Sequence, residues 1–123
     1  MVGEVLMLTL IIILFSIHAL GGVFWAGATF ALARSGGEGA GKLFRPQMGA
    51  ASITVLAGVG LWTILHRGAH GPMEKTLAVG ALCAVAAAAV QGGLRGSPGV
   101  SQRIAAGLLA TTVVCMVIAR YVT

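Results

Sequence analysis

"VLMLTLIIILFSIHALGGVFWAGATFALA" (residues 5–33) decides the fold: these 29 residues between Glu4 and Arg34 carry no charge. As a helix rising 1.5 Å per residue the stretch is about 43 Å long, more than the roughly 30 Å hydrocarbon core of a bilayer. Such a helix tilts or projects from a membrane. Three more apolar stretches follow it. Together they predict helices over about 4–34, 46–66, 74–94 and 102–121. The connections ("RSGGEGAGKLFRP", "HRGAHGPMEK", "GGLRGSPGVSQR") carry Gly, Ser, Pro and most of the charge. Pro46 suits the first turn of the second helix and Ser101 the cap of the fourth.

Composition agrees with these spans. The chain has 123 residues, 58% hydrophobic and 9% charged, against about 25% charged in a soluble domain. We therefore expect a single transmembrane domain over residues 1–123: an all-α, integral membrane four-helix bundle. Short connections favour antiparallel, up-down order. The 19 glycines suit close helix approach. The spacings Gly80, Ala84, Ala88, then Thr54 with Gly58, then Gly107 with Thr111, offer small faces for that packing. The net charge of +5 sits in the loops, which points to orientation in a lipid bilayer rather than to nucleic acid. The first and third loops hold Arg34, Lys42, Arg45, Arg95 and Arg103; the opposite side holds Arg67, Lys75 and Arg120. The positive-inside rule then puts the first and third loops in the cytoplasm and both termini outside. The N-terminus lacks the basic segment of a cleaved signal. Cys83 and Cys115 both lie in apolar stretches, unlike a secreted disulfide framework.

The chemistry-bearing residues are few. At 100° per residue Glu4, Met7, Ile11, His18, Gly22, Trp25 and Thr29 share one face of the first helix, with Gly21 beside them. His18 lies near mid-membrane, where an ionisable residue must face the bundle interior and find a partner. Two readings stand. One is a haem b or metal ligand. The other is a neutral imidazole bonded to a Thr hydroxyl or a carbonyl of a neighbouring helix. Gly21 and Gly22 open space beside the ring for a flat cofactor or for another helix. His66 and His70 lie at the level of Glu4, about 20 Å from His18 along the membrane normal. A bis-His haem within one chain is therefore disfavoured, while a five-coordinate haem, a Met ligand or a site shared between chains stays open.

Copper competes, since Cu(I) takes thiolate, thioether and imidazole. His18, Cys83, Cys115 and Met116 lie at similar depth and would surround a soft metal if their helices face one another. The outer rim gathers His66, His70, Met73, Glu74 and Lys75, either as metal capture or as an ordinary polar loop. Trp62 and Tyr121 fit an interfacial aromatic belt, and Arg120 would snorkel to the same level. The sequence holds no Ser/His/Asp pattern, no phosphate-binding glycine motif, no CxxC and no Asp at all. Without an intramembrane acid, a proton-coupled transporter is disfavoured.

"IHALGGVFWAGATFAL", with His18, Gly21, Gly22, Trp25 and Gly27, resembles the first helix of CopD-like membrane proteins and of the HemJ type of protoporphyrinogen oxidase. "MEKTLAVGAL", with Lys75, and the fourth-helix ending "MVIARYV" resemble the same families. The resemblance implies a four-helix bundle of a bacterial-type inner membrane that handles haem or copper; in such a membrane the orientation expected from the loop charges makes both termini periplasmic. It implies His18 as a ligand and Lys75 as a functional residue. The expectation is thus haem b or copper bound through His18, with Gly22, Trp25 and Lys75 lining the site. The competing expectation is a non-catalytic subunit that packs against a larger membrane complex or a second copy.

Overall fold

The computed structural model describes residues 1–122. It is all-helical: α1 (Val2–Arg34), α2 (Ala40–Leu65), α3 (Pro72–Gly93) and α4 (Pro98–Ile118), closed by a 3₁₀ turn over Ala119–Tyr121. All four helices are long and apolar enough to cross a membrane.

Two helix pairs make up the molecule. α1 packs along α2, α3 packs along α4, and α1 lies against α4 to join the pairs. α2 and α3 meet over a much shorter stretch. Small residues set the close approaches, because without a Cβ two backbones reach van der Waals contact and gain dispersion energy along their length. A Cβ on Gly21 would stand 2.5 Å from the Thr54 hydroxyl oxygen, and one on Gly80 would stand 2.9 Å from the Cys115 Cβ. Ala87 and Ala105 are wholly buried, and Trp25 fills the middle between Ala50, Ala51, Ala84 and Leu109.

Polar side chains bind the four helices together near the α1–α2 turn. Gln47 on α2, Gln91 on α3 and Gln102 on α4 are the only glutamines of the chain, and all three are buried. The Trp25 indole N–H donates to Gln91 Oε1 at 2.8 Å. Gln91 Nε2 donates to Thr29 Oγ1 at 2.9 Å and to Gln102 Oε1 at 3.1 Å. Gln47 Nε2 donates to the same two oxygens at 2.9 and 3.1 Å. The Thr29 hydroxyl donates to the Trp25 carbonyl at 2.7 Å. Among the described residues no buried side-chain nitrogen or oxygen lacks a partner. Full pairing matters here, since an orphaned buried donor or acceptor costs about 1–3 kcal/mol.

Several helix-level expectations are corrected. α2 starts at Ala40, so Pro46 is inside the helix rather than in its first turn. Gly39, with φ of 86°, makes the break that starts the helix earlier. Pro46 removes one backbone donor near the helix start. Ser101 does not cap α4, which begins at Pro98 after Ser97. It is buried, and its hydroxyl donates to the Val90 carbonyl at 3.3 Å. Gly107 and Thr111 face outward, and α4 packs through Ala105, Leu109 and Thr112 instead. Glu4 and Met7 are exposed, so the buried face of α1 starts only at Ile11 and Leu14.

The turn between α1 and α2 is wedged against α4. Gly37 has φ of 88°, and a Cβ there would stand 2.7 Å from backbone atoms of Pro98 and Gly99. Both the backbone conformation and the space require glycine.

The glutamine network gives a direct test. Gln91→Leu should lower stability by about 1–3 kcal/mol in a denaturant titration of the detergent-solubilised protein. Adding Gln102→Leu should cost less than the sum of the two single changes, because both orphan shared partners. Strict additivity would mean that the three amides act independently.

Candidate functional site

His18 is set by its helix register. Ile11, Leu14, His18, Gly21, Trp25, Thr29 and Leu32 recur at three- and four-residue steps and turn toward the other helices. The imidazole lies half-buried against α2. Its Nδ1 stands 2.8 Å from the Thr54 carbonyl oxygen. A carbonyl only accepts, so Nδ1 carries the proton and donates it. Gly58 makes room for the ring: a Cβ there would stand 3.0 Å from His18 Cε1 and 3.2 Å from Nδ1. The Thr54 hydroxyl turns away and donates to the Ala50 carbonyl at 2.6 Å. In the neutral ring Nε2 keeps its lone pair. It has no protein partner, and no unpartnered side-chain nitrogen is buried among the described residues, so Nε2 reaches the surface of the chain.

The surroundings differ from the expected cofactor chamber. The space that Gly21 opens is filled by Thr54 and Ile53, and Thr54 also lies 3.6 Å from where a Gly22 Cβ would stand. Trp25 does not line a site around His18. It is buried two turns further on and held by Gln91. Lys75 is exposed at the far rim, in a hollow of about 160 Å³ shared with Trp62, Ala69, His70, Glu74 and Ala78. His18, Trp25 and Lys75 are thus three separate places.

The soft-metal set is dispersed as well. Cys115 and Met116 face Gly80 on α3, while His18 faces α2. Cys83 is half-buried on α3. Among the described residues no three His, Cys, Asp or Glu side chains come together in a way that could hold a metal ion. At the rim His66 is engaged: its Nδ1 lies 2.8 Å from Glu74 Oε1. Glu74 Oε2 in turn accepts the Gly71 backbone N–H at 3.0 Å, closing the start of α3. The Trp62 and His66 rings lie 5.6 Å apart. His70 is exposed and Met73 half-buried beside this pair.

What the sequence reading missed is the amide network. Its signal was available: three lone glutamines, each near the end of an apolar stretch, in a chain that has no Asn or Asp. No protein-family model, curated protein or solved structure gives a match to this chain.

The His18 geometry is directly testable. Nitrogen NMR of the detergent-solubilised protein should find the proton of the neutral ring on Nδ1. Gly58→Ala should displace the ring, break the bond to Thr54 and lower stability by roughly 0.5–1 kcal/mol, the usual range for one interhelical bond. An Nε2–H tautomer in the unaltered protein would contradict the assignment.

Proposed function

We propose that the chain is an integral membrane protein whose role is assembly: a small, non-catalytic subunit that docks through α1 onto a larger membrane complex. One observation carries this reading. The start of α1, residues 2–10, is exposed throughout, and from there to Phe15 the helix stays apolar on nearly every side. Val2, Leu6, Leu8, Ile12 and Phe15 are all more than half exposed. α1 has 33 residues and α3 has 22, so α1 is longer by about 16 Å. Bare apolar helix of that length favours a protein partner once it leaves the hydrocarbon layer.

The pairing of Leu14 with Gly60 and of Thr29 with Gln47 supports antiparallel order for α1 and α2. The basic asymmetry supports cytoplasmic first and third loops and periplasmic termini, in a bacterial-type inner membrane. A photo-crosslinking side chain placed at Leu6 or Leu10 should yield a discrete protein adduct in native membranes. Crosslinks to lipid alone would overturn the docking role.

A second reading is favoured by the free Nε2 of His18. An imidazole whose Nδ1–H is fixed by a carbonyl and whose Nε2 is presented has the arrangement of a metal-ligating histidine. Thr54 takes up the space beside Gly21 and Gly22, which favours an approach from outside over an interior haem. Haem b or copper would have to approach Nε2 from outside the α1–α2 pair, with further ligands from a second chain. On this reading, haemin added to the purified protein gives a Soret band that His18→Ala abolishes. A protein that stays colourless and binds no Cu(I) in an equilibrium titration would sink it.

A further inference from the structure

Where α2 and α3 part, an apolar groove of about 360 Å³ opens on the side of the bundle. Met48, Ser52, Val55 and Leu56 of α2 form one wall, and Val85 and Ala88 of α3 form the other. The groove leads toward the basic end. At 100° per residue Arg45, Ser52 and Leu56 align on α2, and so do Phe44, Met48 and Val55 beside them. The Arg95 guanidinium, just beyond α3, lies over the Phe44 ring at 3.6 Å from its centroid. Two exposed arginines therefore flank the end of the groove: Arg45 about one turn before Met48, and Arg95, seven residues past Ala88, held against α2 at Phe44. Arg34, Lys42 and Arg103 lie at the same end, against a single acid, Glu38.

We propose that this groove holds an anionic phospholipid, with one acyl chain between α2 and α3 and the headgroup phosphate on Arg45 and Arg95. Guanidinium groups pair with phosphate through forked N–H donors. Stacking on Phe44 holds Arg95 in place and lowers the entropy lost on binding. A second copy is the poorer occupant. Its own arginines would meet these, and like charges across an interface oppose association. The proposal rests on the membrane reading above and is independent of what His18 or the first half of α1 binds.

The test is native mass spectrometry of the full chain released from bilayers with equal phosphatidylglycerol and phosphatidylcholine of matched acyl chains. The unaltered protein should retain phosphatidylglycerol preferentially. Arg45→Gln combined with Arg95→Gln should cut that preference roughly tenfold or more. Both residues are exposed and outside the glutamine network, so the variant keeps the fold. Ala88→Leu, which fills the groove, should lower phosphatidylglycerol retention with every charge in place. Equal retention of the two lipids, or an unchanged preference in the double variant, would overturn the proposal. So would efficient disulfide dimerisation of Ser52→Cys, which would assign the groove to a second copy. Carbonate extraction separates the two levels: release into water defeats the membrane reading itself. Retention in the bilayer with no headgroup preference defeats the lipid site alone.

Discussion

The hydrogen bonds among Thr29, Gln47, Gln91 and Gln102 are the constraint on which the rest depends. Each helix contributes at least one member, and Trp25 ties the network to the largest buried side chain. In an apolar setting no water replaces a missing partner. The amides therefore fix the rotation of all four helices about their axes. Small residues could not do this alone. Gly21, Gly80, Ala87 and Ala105 let backbones approach, but a smooth Ala surface slides and rotates with little penalty. Polar pairing supplies the register and small residues supply the contact.

The same rule explains His18. A ring nitrogen turned toward α2 finds the Thr54 carbonyl at 2.8 Å, and Gly58 leaves it the space. This single bond satisfies the inward side of the imidazole and aims the other side out. A structural role and a ligand role share this geometry, since both need Nδ1–H fixed. What separates them is whether anything occupies Nε2, and that is a question about partners outside the chain.

Helix number and approximate span were legible in the sequence because they follow from apolar length and loop composition. The inward face of α1 was legible from His18 to Thr29, since three- and four-residue spacing carries that information. Below His18 it was not, because nothing in the pattern of Leu and Ile says where the other helices end. The start of α2 was hidden by Pro46, which resembles a helix opener, while the actual break comes from left-handed Gly39. The proposed gathering of His18, Cys83 and Cys115 was depth without rotation. Residues at one height on four helices meet only if their faces agree, and a nearly uniform Ala/Gly/Leu/Val surface does not declare its face. The three glutamines did declare theirs, but only as a set.

The network also divides in an instructive way. Gln47 meets Thr29 within α1 and α2, and Gln91 meets Gln102 within α3 and α4. One amide bond therefore closes within each helix pair. The remaining bonds, from Trp25 to Gln91, from Gln91 to Thr29 and in both directions between Gln47 and Gln102, run between the pairs. The sparse seam between α2 and α3 agrees with this division. The chain is then two half-molecules that recognise each other by a short polar code written on otherwise featureless helices. A helix without such amides could match the apolar surface of these faces but not their polar pairing.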